Sequence, residues 1–240
     1  MLRLLRQTMS LAAHGDDLLH NLQLVQQRVN GRATLVAVSK TKPAEAVRAL
    51  YDAGQREFGE NYVQELVDKA HALAPTCPDI RWHFIGHLQS NKVKLLLQTP
   101  QLACVETVDS QKLATKLDAA RGDATAPLNV FVQVNTSGEA SKSGVAPDDD
   151  DVLLALVQHI RLQCPRLRFA GLMTIGERGD TSADFELLRG VRERVAAALD
   201  VPANSIGLSM GMSGDYEKAI ELGSTNVRVG SSIFGARQQK

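Results

Sequence analysis

The sequence has no surplus of either charge: 27 lysines and arginines are balanced by 27 aspartates and glutamates in 240 residues. Without a basic excess it lacks the electrostatic footprint of a nucleic-acid binder, and no long block of like charge marks a tail. Cysteine is scarce. Cys77, Cys104 and Cys164 are odd in number, and none stands in a C-x-x-C pair. This argues against a disulfide framework and for a reducing, cytoplasmic setting. Cys104 lies in an apolar run and reads as a small core residue. Apolar runs long enough to span a membrane are missing as well. Residues Met1 to Gln7 show no sustained apolar core and no small-residue cleavage pattern, so no secretory signal is expected. No low-complexity linker divides the chain. With 44% hydrophobic residues, one large domain over 1–240 is expected.

What the chain does contain is an alternation of strands and helices. Leu18, Leu19, Leu22, Val25 and Val29 recur at helical spacing, and Gly31 stops that first helix. Leu35 to Val38 is apolar on both parities, as in a parallel strand covered on both faces. Further strands are expected near 56–59, 81–85, 102–108, 128–134, 168–173, 205–210 and 226–229, after a first at 33–39. Helical punctuation lies between them. Pro43 suits a first helical turn and Gly54 a stop. Asn61 and Gln64 have capping-box spacing, Ser110 suits an N-cap, and four aspartates open the helix after 147. Eight such units predict an α/β fold, a (β/α)8 TIM-type barrel with an N-terminal helix. Strand C-termini would then gather Lys40, Asn61, His87, Asn135, Thr174, Ser209, Met210 and Arg228 at one end.

At that end the residues suggest chemistry. Val36, Val38 and Lys40 share a strand face, so Lys40 would sit at the rim over the packed interior. Poor solvation there favours a neutral amine, which a carbonyl compound needs to form a Schiff base. A lone strand-end lysine is nonetheless more often a solvated rim residue. Arg228 in the last strand is costly unless paired, with a ligand or with a carboxylate. Gly230, Ser231 and Ser232 follow where barrels of this kind cradle phosphate. The run Leu208 to Asp215 offers hydroxyls and methionines that could pack on a flat ring, with Ser213 readable as an N-cap. Asp215 and Glu217 would repel an anion. Phosphate is therefore expected mainly on Gly230 and Ser231, assisted by Ser209 or Ser213. Asn61 fits either a ligand contact or a cap. His83 and His87 lie on a strand and its following loop, so no metal site is expected. The small polar loop after strand five, 135–144, is expected to cover the mouth.

Six motifs in fixed order carry a resemblance. They are Val38-Ser39-Lys40-Thr41-Lys42-Pro43, Phe58-Gly59-Glu60-Asn61-Tyr62-Val63-Gln64-Glu65, Trp82-His83-Phe84-Ile85-Gly86-His87-Leu88-Gln89-Ser90-Asn91-Lys92, Gly171-Leu172-Met173-Thr174-Ile175, Leu208-Ser209-Met210-Gly211-Met212-Ser213 and Val227-Arg228-Val229-Gly230-Ser231-Ser232-Ile233-Phe234-Gly235. Together they cover nearly the whole chain and resemble the pyridoxal phosphate homeostasis protein family. That family is a single-domain relative of the N-terminal barrel of alanine racemase, the fold type III arrangement for pyridoxal 5'-phosphate (PLP). The resemblance implies that Lys40 holds PLP as a Schiff base and that Arg228 lies near the pyridine nitrogen. It implies that the Ser209-to-Ser213 loop, including Met210, and Gly230-Ser231 hold the phosphate. It also implies a role in vitamin B6 and amino-acid homeostasis, with PLP-dependent apoenzymes as candidate recipients.

A racemase-like enzyme is the alternative, and a phosphosugar enzyme without PLP is a third reading. Racemisation needs an acid/base group on each face of the substrate. The racemase relatives take an opposing tyrosine from a second domain of a partner subunit. Here few residues follow strand eight, and of Tyr51, Tyr62 and Tyr216 only Tyr62 closely follows a strand. No turnover is therefore expected. The outer helices show no apolar excess, so a monomer is expected.

Overall fold

The computed structural model describes residues 17–122, 126–139, 141–177, 179 and 181–236. A helix, α1, covers residues 17–29. Then come β1 (Thr34–Val38), α2 (Ala44–Asp52), β2 (Glu57–Glu60), α3 (Val63–Leu73) and β3 (Arg81–Phe84). A short 3-10 turn leads into α4 (Val93–Leu96), followed by β4 (Leu102–Val108), α5 (Gln111–Arg121) and β5 (Leu128–Gln133). The chain continues through α6 (Asp150–Gln163), β6 (Leu167–Met173), α7 (Ser182–Leu199), β7 (Gly207–Ser209), α8 (Tyr216–Glu221), β8 (Asn226–Val229) and α9 (Ser231–Phe234). The strands pair in chain order into a closed barrel. It closes where β8 runs parallel to β1, with Val36 opposite Arg228.

Strand parity sorts the side chains into two layers. Leu35 and Ala37 join the main apolar cluster with Leu22, Val25 and Val29 of α1 and Val47 and Leu50 of α2. Val36 and Val38 are buried on the opposite parity, toward the barrel interior. A second cluster, Cys104, Phe131 and Met173, stands apart from the main core. Gly171 permits a close approach of β6 to β7, since a Cβ there would fall 2.1 Å from the Gly207 carbonyl oxygen. The helix caps follow from residue chemistry in two cases. Ser110 Oγ accepts from the Leu113 amide, and Asp149 accepts from the Val152 amide.

Two capping alternatives are not taken up. Asn61 does not cap α3; Tyr62 occupies the N-cap position without a side-chain cap bond. Ser213 does not cap α8, whose N-cap is Asp215. The loop after β5 is also more tethered than its composition suggests. Val145 bridges to Val134, and Asn135 Nδ2 donates to the carbonyls of Glu139 and Lys142 at 3.0 and 3.2 Å. Lys142 Nζ donates to the Gly176 carbonyl at 2.7 Å. Among the described residues, no helix is long and apolar enough to cross a membrane.

Candidate functional site

Lys40 stands two residues beyond the end of β1, half-buried in a turn. The turn is fixed on both sides. Before it, Ser39 Oγ donates to Glu60 Oε1 at 2.6 Å. After it, the Thr41 amide donates to Glu65 Oε1 at 2.6 Å, with Thr41 at a left-handed φ of 63°. Lys69 ties the two sides together. Its ammonium donates to Glu60 Oε1 (2.7 Å), Glu65 Oε1 (2.6 Å) and the Ser39 carbonyl (2.8 Å). Glu60 is fully buried and Lys69 nearly so. Burial pushes the Glu60 carboxyl up, against the pull of the Lys69 charge. The polar clamp thus sets the direction in which the Lys40 turn leaves the sheet.

That turn opens onto a cleft of about 420 Å³ at the C-terminal end of the strands, within the range of small-molecule sites. Lys40, Lys42, Asn61, Ser213, Arg228, Gly230 and Ser231 line it, between the apolar walls of Val38, Ile85, Met173, Ile175 and Met212. The buried Oδ1 of Asn61 has no hydrogen-bond partner. A buried acceptor left open at a cleft wall invites a ligand donor. Gly86 makes room for this residue: a Cβ at Gly86 would fall 2.0 Å from the Asn61 carbonyl oxygen.

Arg228 enters the wall from β8, only 4% exposed. Its Nη1 donates to Ser209 Oγ at 2.6 Å and its Nη2 to the Thr174 carbonyl at 2.7 Å. Burial pushes its pKa down, with the charges of Glu106 and Asp215 opposing. At the other end of the cleft, Ser213 Oγ accepts from the backbone amides of Gly230 (3.1 Å) and Ser232 (3.3 Å). One oxygen therefore sits where two amides converge, as an anion's oxygen would.

Ser209 and Met210 do not fit the expectation of a phosphate contact. Ser209 is fully buried, its hydroxyl held between Glu106 and Arg228. Met210 packs in the main core. Met212, after the turn at Gly211 (φ 96°), faces the cleft instead. Asn135 serves its own loop, and His87 Nδ1 lies 2.8 Å from Ser143 Oγ. The clamp residues Glu60, Glu65 and Lys69, and the buried Glu106, were not singled out from the sequence, and His83, which pairs with Glu106, was weighed there only as a metal ligand.

Residues 14–238 match the family model for the alanine racemase N-terminal domain. The pyridoxal phosphate homeostasis protein of Homo sapiens is 51% identical over 212 residues, covering 85% of this chain and 76% of that protein. The same-named protein of Escherichia coli is 42% identical over 234 residues, covering 92% and 97%. The chain belongs to the pyridoxal phosphate homeostasis protein family. Among solved structures, PipY of Synechococcus elongatus with PLP bound has a TM-score of 0.77 at 32% identity, covering 91% of this chain and all (100%) of that one. Alanine racemase from Corynebacterium glutamicum, at 16% identity and a TM-score of 0.71, covers 93% of this chain and 62% of its own, a likeness of fold. In the pyridoxal phosphate homeostasis family frame, the cleft described above is this chain's candidate ligand site.

Proposed function

We propose that the chain binds PLP in the mouth cleft, as a Schiff base on Lys40, and serves PLP homeostasis without turning over an amino acid. The observation that carries this reading is convergence: an amine, an unpartnered acceptor, a guanidinium and the Gly230 backbone meet in one apolar-walled cleft. Bound there, PLP supplies an aldehyde for an amine, a ring nitrogen that tunes its electron sink, and a phosphate handle. The residues present fit each part. Lys40 offers the amine. For a phosphate the cleft offers the Ser213 and Ser231 hydroxyls and the Gly230 amide, which donates to Ser213 Oγ where no anion is bound. Asn61 Oδ1 offers an acceptor for a hydroxyl. Arg228 offers a guanidinium to the ring nitrogen, and its charge disfavours protonation there because like charges repel.

The non-catalytic reading is supported by what else lines the cleft. Among the described lining residues, the only amine besides Lys40 is Lys42, and no carboxylate, histidine or tyrosine is present. Lys42 Nζ is directed to the carbonyls of Phe234 and Ala236, at 2.8 and 3.4 Å. Tyr51 hydrogen-bonds Asp79 and stacks under Arg56, and Tyr216 is buried in the core. Tyr62 is 56% exposed and off the cleft wall. Among the described lining residues, a proton shuttle across two faces finds no carboxylate, histidine or tyrosine as its second member. PLP-dependent apoenzymes are the recipients this reading suggests. A monomer fits the exposed large apolar side chains, which are scattered over separate elements (Leu24 on α1, Val152 and Leu162 on α6, Leu187 on α7). A reducing cytosol fits three free, buried thiols.

The test is an absorption spectrum of the PLP-loaded protein before and after borohydride, followed by peptide mapping. A reduced adduct on Lys40, lost in a folded Lys40→Ala variant, is the expected result. An adduct on Lys42 with Lys40 unmodified would overturn the assignment. Chiral analysis after incubation with amino-acid enantiomers covers the alternative, since multiple turnovers abolished by Lys40→Ala would establish a racemase.

A further inference from the structure

Beneath Arg228 the barrel holds a continuous polar run that the ligand reading leaves unused. At the barrel floor, Arg81 Nε donates to Glu57 Oε1 at 2.5 Å. Glu57 Oε2 lies 2.8 Å from His83 Nε2, and His83 Nδ1 lies 2.6 Å from Glu106 Oε1. Ser209 Oγ donates to Glu106 Oε2 at 2.5 Å and accepts from Arg228 Nη1 at 2.6 Å. Side-chain exposure falls along the run, from 52% at Arg81 and 20% at Glu57 to 6% at His83 and none (0%) at Glu106. One end touches solvent at the strand N-termini, and the other is the cleft wall.

The geometry fixes a proton count. Each ring nitrogen of His83 faces a carboxylate oxygen. Two acceptors at such distances repel unless a proton lies between them. A neutral imidazole carries only one such proton. The Glu57–His83–Glu106 centre therefore holds two, equivalent to an imidazolium between two carboxylates. The other titratable group beside it is Cys104, whose thiol burial pushes up to about 11, so it stays neutral.

We propose that this run is a positioning relay for Arg228: Glu106, kept ionised by the His83 imidazolium, turns the Ser209 hydroxyl so that its oxygen faces the guanidinium, and Glu57 sets through His83 the charge presented to the cleft. An ionised carboxylate only accepts hydrogen bonds. Ser209 must then donate to Glu106, which leaves its lone pairs for Nη1. With Nη2 held by the Thr174 carbonyl, the guanidinium plane has two anchors. A protonated Glu106 could itself donate to Ser209, and the hydroxyl proton would then turn toward Arg228, a donor. The protonation directions agree. Burial alone would lower the pKa of His83, but bonds to Cys104, Glu106 and Glu57 hold it well above the ordinary histidine value. Burial would raise Glu106, but His83, Arg228 and Ser209 hold it below the ordinary carboxylate value.

Two measurements test the relay, and only the second rests on the PLP reading. In the ligand-free protein, nitrogen NMR of labelled histidine should find both ring nitrogens of His83 protonated at about pH 7.5, above the ordinary histidine value of about 6.5. A neutral single tautomer there overturns the proposal. In the PLP-loaded protein, the apparent pKa of the bound chromophore is read by absorbance in wild type, Glu57→Gln and Glu106→Gln. Glu57 is not on the cleft wall, so a merely structural role would leave the chromophore's titration unmoved. The relay predicts an upward shift of about half a pH unit or more in Glu57→Gln, because a neutral partner no longer holds the second proton on His83, and losing the nearer positive charge together with the farther negative one leaves the mouth more negative. An unchanged profile at full occupancy overturns it. If Glu106→Gln does not fold, Glu57→Gln and the ligand-free spectrum still decide. Failure of wild type to bind PLP would instead overturn the PLP reading, leaving the imidazole spectrum to judge the relay.

Discussion

Replacing Lys69 with methionine isolates the clamp behind the Lys40 turn. The substitution keeps most of the side chain's bulk and removes only the ammonium. Glu60 is then left fully buried, with Ser39 Oγ as its one remaining partner and Oε2 already unpartnered. Two estimates of the cost converge. Breaking one side of a buried ion pair costs about 3–5 kcal/mol. Alternatively, Glu60 takes up a proton. Holding a carboxyl protonated at pH 7 costs about 3.7 kcal/mol, at about 1.36 kcal/mol for each of the roughly 2.7 pH units above its unfolded value near 4.3. The cheaper route sets the ceiling, so Lys69→Met should lose about 3–4 kcal/mol at pH 7. Since burial already pushes the Glu60 carboxyl up, protonation is the expected route. The loss should therefore shrink toward about 1 kcal/mol near pH 5. Urea unfolding at both pH values measures this, with the melting temperature falling roughly 7–14 °C at pH 7. Adding Glu60→Gln should restore about 2 kcal/mol or more, because no buried charge then lacks a partner. A loss below about 1 kcal/mol at pH 7, or one equal at both pH values, would refute the reasoning.

Gly86→Ala should destabilise by about 2–3 kcal/mol and weaken PLP binding, since its Cβ would fall 2.0 Å from the Asn61 carbonyl oxygen and the backbone must shift. Gly230→Ala should behave differently. Its φ is −114°, and a Cβ there meets only Val38 at an ordinary 3.4 Å, so the ligand-free protein should change by less than about 1 kcal/mol while PLP affinity falls. The floor-to-mouth run predicts a stability profile with two limbs. The raised pKa of His83 contributes stability that is complete below about pH 6.5 and lost as pH rises through its folded value. The lowered pKa values of Glu57 and Glu106 contribute stability present above about pH 4.3 and lost as pH falls through their folded values. His83→Gln should flatten the alkaline limb of the urea midpoint between about pH 7 and 9, and an unaltered limb would count against the assignment.

The barrel was legible because its strands are simple. Strands buried on both faces, such as β1 and β5, show as apolar runs, and glycine, proline and serine mark the helix ends. The errors came where spacing admits two backbones. Asn61 and Gln64 have capping-box spacing, yet the chain leaves β2 so that Tyr62 takes the N-cap position. Ser209 and Met210 were placed at the end of the seventh strand and also counted in the phosphate-side run that follows it. In fact β7 ends at Ser209, and strand parity sends its hydroxyl inward and Met210 outward to the core. The buried acids carried a signal that went unused. Glu106 stands between Val105 and Thr107 in a strand otherwise fit for the core, and such a carboxylate must find a partner. Its partners could not be named from sequence. They depend on register, and the register of β3 against β4 slips between Trp82 and His83. That slip brings His83 opposite Cys104.

The choice between the two lysines of the first motif shows what parity can decide and what it cannot. Lys40 and Lys42 share a parity, and both reach the cleft wall. Alternation alone would therefore rank them equally. What separates them lies outside the strand. Lys42 is drawn to the carbonyls after α9, so its ammonium is committed to the far end of the chain. Lys40 sits between two residues held by one buried ammonium, through the Ser39 carbonyl on one side and Glu65 on the other. The left-handed Thr41 then turns the backbone away, so Lys40 is presented at the apex and Lys42 beyond it. A clamp of buried Glu60 and Lys69 with the partly exposed Glu65, next to one half-buried lysine, is hard to justify for packing alone, since apolar residues of similar volume would serve stability as well or better. On the proposed reading it serves to hold one amine in one direction, as a covalent ligand on Lys40 would require.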